Sequence, residues 1–127
     1  MTILLDTNAY SDWRRSGRWN EIIATASEVL MPAIVLGELR YGFIGSTLAE
    51  ENERKLADFL RHSVVCLIEV GDSTSRAYAV LKHFLRSAGT PIPENDIWIA
   101  ALAVEHMAPI VTGDAHFDLL PQVTRVP

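Results

Sequence analysis

A chain of 127 residues, 49% of them hydrophobic, can bury about two-thirds of the surface it exposes when unfolded, so one domain spanning residues 1–127 with one core is expected. No apolar stretch reaches the roughly 18 uninterrupted residues of a membrane span, and the N-terminus carries no basic region followed by a cleavable apolar segment, so a cytoplasmic protein with no membrane contact is expected. The net charge of −5 excludes a surface that grips nucleic acid everywhere, because phosphate affinity comes largely from clustered Lys and Arg. It leaves room for an enzyme that meets phosphate through a bound metal.

The chain has no internal repeat, low-complexity tract or Pro/Gly/Ser-rich linker, and it reads as short strands alternating with helices. Ile3 to Leu5 suits a buried strand, and Asp6, Thr7 and Asn8 follow it with side chains that favour caps and turns. Trp19 to Glu28 predicts a helix and Val29 to Met31 a second strand, with Pro32 at the first position of a helix running Ala33 to Phe43. Leu48 to Arg61 is rich in good helix formers, and Val64 to Val70 is β-branched and reads as the third strand. Cys66, the single cysteine, lies in that run and reads as a buried strand residue without a chemical role.

Gly71, Asp72 and Ser73 mark a turn and cap before a helix to about Ser87, and Ala88 to Glu94, with Pro91 and Pro93, reads as an extended connection. The next helix begins near Asn95 or Asp96, and its segment IWIAALAV is apolar on nearly every side, which places it in the interior. Pro109 closes it. Ile110 to Thr112 gives a fourth strand, Gly113 to Phe117 a loop, and Val123 to Val126 a short fifth strand. Such alternation predicts a three-layer α/β domain with a mostly parallel sheet of four to five strands flanked by helices, whose sites form beyond the carboxyl ends of the strands.

Four acids fall where that topology places chemistry. Asp6 follows the first strand and Asp114 the fourth, although each alone also reads as a cap or turn residue. Glu38 has Ile34, Val35, Tyr41 and Gly42 as its helical neighbours, a mainly apolar face, so its carboxylate points inward or toward a cleft and needs a cation, a hydrogen-bond network or Arg40 as an ion-pair partner. Asp96 lies in a first helical turn, where the macrodipole favours negative charge. Gathered together, four carboxylates repel unless a metal binds, and Mg2+ or Mn2+ suits oxygen ligands, whereas no two histidines have zinc-like spacing beside a cysteine.

The segments LLDTN at 4 to 8, GELRYG at 37 to 42, ENDIWIAALA at 94 to 103 and VTGDAHFDLLP at 111 to 121 resemble the four motifs of PIN-domain ribonucleases, in particular the VapC-type toxins of toxin–antitoxin pairs. The resemblance covers nearly the whole chain in order. It implies a parallel sheet flanked by helices, endonucleolytic cleavage of RNA, Mg2+ or Mn2+ in the acidic cluster, a protein antitoxin, and a homodimer. Carried over by position, Asp6 and Asp96 are the principal metal ligands, and Glu38 and Asp114 complete the catalytic set directly or through water. Thr7, Asn8 and Thr112 are supporting hydrogen-bonding groups. In the fourth motif Asp118 competes with Asp114, which is preferred as nearer the strand end, and His116 reads as a loop residue that touches RNA or is simply solvated.

A metal held there would acidify a water for in-line attack on a phosphodiester, and no side-chain nucleophile is required. Accordingly, the chain has neither a Gly-rich phosphate loop ending in Lys-Ser/Thr nor a nucleophile-elbow serine. Arg14, Arg15 and Arg18, with Trp13 and Trp19, either form a rim that binds RNA or make a solvated cluster with two packing tryptophans. Two other functions compete with the nuclease. An aspartyl phosphotransferase places an Asp after the first strand but needs a suitably placed lysine, and Lys55 and Lys82 are far from strand ends. A non-catalytic PIN-like binding module would use the acids only to receive a basic partner.

Overall fold

The computed structural model describes residues 1–126. The first strand, β1 (Thr2–Leu5), is followed by α1 (Thr7–Ser16) and α2 (Asn20–Thr25), then β2 (Glu28–Pro32), α3 (Ala33–Ile44) and α4 (Ala49–Leu60). After β3 (Val65–Ile68) come α5 (Asp72–Ala88), α6 (Glu94–Glu105) and β4 (Ile110–Val111), and a 3-10 turn over Ala115–Leu119 closes the succession. The strands form one sheet in the order β3-β2-β1-β4 with every pairing parallel, flanked by helices in a three-layer α/β arrangement.

Position in the sheet explains burial along the chain. β1 is central, covered on both faces, and its Ile3, Leu4 and Leu5 are fully buried, as a parallel strand between two helical layers requires. In α6 the residues Ile97 and Ile99 through Ala103 are all buried, so the helix lies in the interior and its three alanines, Ala100, Ala101 and Ala103, let neighbouring elements approach closely. Its start is bound to α5 through the parallel stack of Tyr78 and Trp98, with ring centroids 3.9 Å apart and planes at 12°. At its other end, Thr74 of α5 donates to Glu105 while accepting from the amide of Gly71 at 3.0 Å.

Several local expectations are corrected. Cys66 is exposed, not buried, because β3 is an edge strand paired only with β2; Leu67 beside it is 49% exposed. The helix α1 is an element the polar, arginine-rich stretch concealed, and it is built on the narrow face of Ala9, Tyr10 and Trp13 against the core. The helix expected over Trp19 to Glu28 is shorter, since Glu28 already pairs with Thr2 in the sheet. Pro32 ends β2 and caps α3 with extended backbone instead of occupying its first turn. The fifth strand reduces to one parallel bridge between Ile110 and Arg125, and the loop after β4 is wound into the 3-10 turn.

Candidate active site

The sheet's topology brings the four acids to one place. A cavity of about 510 Å3 at the carboxyl edge is lined by Asp6, Glu38, Asp96 and Asp114, together with Thr7, Asn8, Glu94, Asn95 and His116. Neighbouring strands β1 and β4 deliver Asp6 and Asp114, while α3 and α6 deliver Glu38 and Asp96. Among the described residues, neither Lys nor Arg lines it.

Each acid is fixed by its local chemistry. Asp6 caps α1, accepting from the Ala9 amide at 2.8 Å through one oxygen and from the Thr112 hydroxyl through the other. Thr112, buried and one step past β4, also accepts from the Asp114 amide at 2.9 Å, so one hydroxyl ties two acids together. Asp114 in turn caps the 3-10 turn by accepting from the His116 amide at 2.9 Å. Thr7 donates to Glu38 at 2.6 Å. Asp6 and Asp114 therefore act as caps and also line the cavity, because an oxygen that orders the backbone also fixes the carboxylate.

Glu38 is half-buried at the margin of the core. Val35 beside it is buried, but Tyr41 is 82% exposed, so its face is less apolar than the sequence suggests. Arg40 turns away and pairs with Glu53 at 3.0 Å. Asp118 is likewise removed from the site by Arg125, whose Nη1 lies 2.9 Å from it. His116 enters instead: its Nδ1 is 2.9 Å from Asp96 and 3.2 Å from Asp114. Glu94 and Asn95, not singled out by the sequence, also line the cavity; Glu94 is engaged by Tyr78 at 2.7 Å and by Lys82.

Electrostatics follow from this crowding. Burial pushes the Asp6 carboxyl up to about 6, against hydrogen bonds from Thr112 and Ala9 that lower it, with the Asp114 and Asp96 charges adding to the rise. Burial also raises Asp96, opposed by its bond to His116. His116 is raised in its turn, chiefly by that bond. No lysine or arginine pairs with any of the four acids among the described residues. An acidic, oxygen-rich, open cavity of this kind fits a hard divalent cation, and ligand atoms of Asp96, Asp114 and His116 lie within 4.8 Å of one another.

The three arginines after the first motif diverge. Arg14 lies over Trp13 at 4.1 Å, inside a cluster of Tyr10, Trp13 and Phe59. Arg15 pairs with Asp12 at 2.6 Å, and both Arg14 and Arg15 line a separate depression against α4. Arg18 comes back toward the sheet, where its guanidinium abuts Gly113.

Fold and cavity together define an α/β protein with a candidate cation site at the carboxyl edge of a parallel sheet. A family model described as "PIN domain" matches residues 3–122, and the chain belongs to the PIN-domain family. Proteins of the VapC type are among its relatives. Ribonuclease VapC4 of Mycobacterium tuberculosis is 34% identical over 90 residues, covering 71% of this chain and 69% of that protein. Ribonuclease VapC5 of the same organism is 28% identical over 123 residues, covering 97% and 90%. The solved VapBC2 of Rickettsia felis, bound to a DNA fragment from its promoter, superposes with a TM-score of 0.85 at 26% identity over 99% of this chain and 98% of that one.

Proposed function

We propose that the chain is a metal-dependent endoribonuclease acting as the toxin of a toxin–antitoxin pair in the cytoplasm. The observation that carries this reading is the convergence of Asp6, Glu38, Asp96 and Asp114 on one open cavity that no lysine or arginine lines. Kinship with proteins described as ribonucleases supports the substrate class. The VapBC and FitAB complexes among the similar structures support a protein antitoxin.

Asp6 and Asp96 would hold Mg2+ or Mn2+, with Glu38 and Asp114 completing the set directly or through water. Bound there, such an ion would supply Lewis acidity, lowering the pKa of a water and offsetting phosphate charge. The chain's own groups orient and hold protons. Thr112 keeps Asp6 and Asp114 in register, Thr7 aims Glu38, and His116, whose Nδ1 lies between Asp96 and Asp114, is placed to exchange a proton at the cavity. A phosphotransferase is disfavoured by Lys55 and Lys82, which pair with Glu51 and Glu94 and do not line the cavity.

The deciding experiment incubates purified protein with RNA, with and without Mg2+ or Mn2+, beside the Asp6→Asn and Asp96→Asn variants. Metal-dependent cleavage with new internal ends in the wild type alone is expected. Equal cleavage after chelation would reject the metal-dependent mechanism, and no cleavage under any condition would favour the binding module.

A further inference from the structure

We propose that Arg18 is a substrate-binding residue whose guanidinium, seated against Gly113 and so beside the cavity-lining Asp114, takes an RNA phosphate flanking the one that is cleaved. This rests on the nuclease reading of the acidic site and adds the group that site lacks. A cavity lined by carboxylates repels a polyanion, so phosphate must be drawn in by a cation that stands near the acids without neutralising them.

Arg18 is in that position. A β-carbon placed on Gly113 would lie 2.9 Å from its Nη1 and 3.3 Å from its Nη2, and Gly113 is one peptide step, about 3.8 Å, from Asp114 on one side and Thr112 on the other. Its ion-pair partner is Asp12, at 3.4 Å, outside the cavity. The guanidinium also lies over the Trp19 ring at 4.5 Å. These contacts orient it while its side chain remains 50% exposed, and five N–H donors leave several for an incoming phosphate.

The backbone is shaped for this presentation. The α1–α2 turn passes through Gly17 at φ 76 and Trp19 at φ 71, and a bulky residue in the left-handed region persists only where its surroundings over-determine it. The absence of a side chain at Gly113 is the matching half, since any β-carbon would force the guanidinium tip from its seat. Arg14 and Arg15 have no such placement: Arg14 lies over Trp13 and Arg15 pairs with Asp12.

The test is binding of labelled single-stranded RNA by anisotropy in Ca2+, across about 50 to 200 mM salt, where each lost phosphate contact should flatten the log–log slope by about 0.7. Arg18→Ala should show that loss, Arg18→Lys should recover most of it, and Arg15→Ala should keep the wild-type slope. In cleavage assays Arg18→Ala should raise KM about tenfold with kcat largely kept. Gly113→Ala, which displaces the guanidinium while leaving its charge on the chain, should raise KM as well, and it serves if Arg18→Ala does not fold. A wild-type slope in Arg18→Ala, an equal loss in Arg15→Ala, or no RNA binding by the wild type overturns the proposal. Failure of the wild type to cleave, with the slope change intact, would instead overturn the nuclease reading and leave the Arg18 contact standing.

Discussion

Asp6 combines two demands that oppose each other. As a cap it must be ordered and buried, and burial makes its charge costly; as a candidate ligand it must be ionised. Replacing either it or Asp96 with Asn keeps the volume and removes the charge, so both variants should retain wild-type circular dichroism while losing RNA cleavage by at least two orders of magnitude, roughly the effect of losing a metal ligand. Full activity in either folded variant would remove that residue from the site. The carboxyl of Asp6 also predicts a pH dependence. Its folded value of about 6 exceeds the unfolded value near 3.9, so the proton is held more tightly in the folded state and the resulting stability, roughly 3 kcal/mol, is full below about pH 4 and lost as pH rises through 6. His116, also raised, contributes in the same direction. Metal-free protein should therefore melt at higher temperature at pH 5.5 than at 7.5, and Asp6→Asn should flatten that difference; a midpoint that falls on acidification over this range would contradict it.

At the scale of elements, α6 sets the tolerance of the site. Ala101 is fully buried, and Ala101→Leu inserts volume where none is free, at a cost of about 1–3 kcal/mol that a denaturant midpoint will register. An unchanged midpoint would mean the helix can shift outward. How much an element reveals in sequence depends on how local its cause is. β1 and α6 were legible because two-sided burial makes their apolar runs continuous, and the positions of Asp6, Asp96 and Asp114 were legible because strand ends and a helix start fix where they emerge, whereas Glu38, midway along α3, stood out only through its helical neighbours. The exposure of Cys66 was not, since a strand does not encode whether it will stand at the edge of its sheet. The approach of His116 to Asp96 and of Arg18 to Gly113 depends on turn geometry and on contacts between distant segments, which no local pattern contains. The same holds for Arg125, whose bond to Asp118 engages that aspartate away from the cavity that Asp114 lines.

For the molecule as a whole, a ligand that binds only the folded state raises its stability by mass action. Mg2+ or Mn2+ should raise the thermal midpoint at pH 7.5, and the Asp6→Asn/Asp96→Asn double variant should lose most of that rise; an equal shift in both would locate the binding elsewhere. The same uncompensated charge defines how an antitoxin should inhibit. A basic side chain inserted among the carboxylates, an Arg above all, satisfies two of them at once, displaces metal and blocks phosphate. Affinity for the partner should then fall with salt and in Glu38→Gln, and inhibition of cleavage should fall with it. Affinity indifferent to both would mean that the partner inhibits from outside the cavity.

The bond between Asp6 and Thr112 joins residues 106 positions apart. Synthesis therefore makes the Asp6 carboxylate 106 residues before its orienting hydroxyl. Until the segment carrying β4 has left the ribosome, β1 lacks its neighbour on one side and the cavity lacks both Thr112 and Asp114. On the nuclease reading, a nascent chain that has not yet exposed β4 should therefore be inert toward RNA. Nascent chains stalled with residue 107 clear of the exit tunnel should be digested readily by protease and bind no metal, whereas chains extended to expose residue 126 should resist; protection already present at the earlier length would show that β1, β2 and β3 close without their last partner.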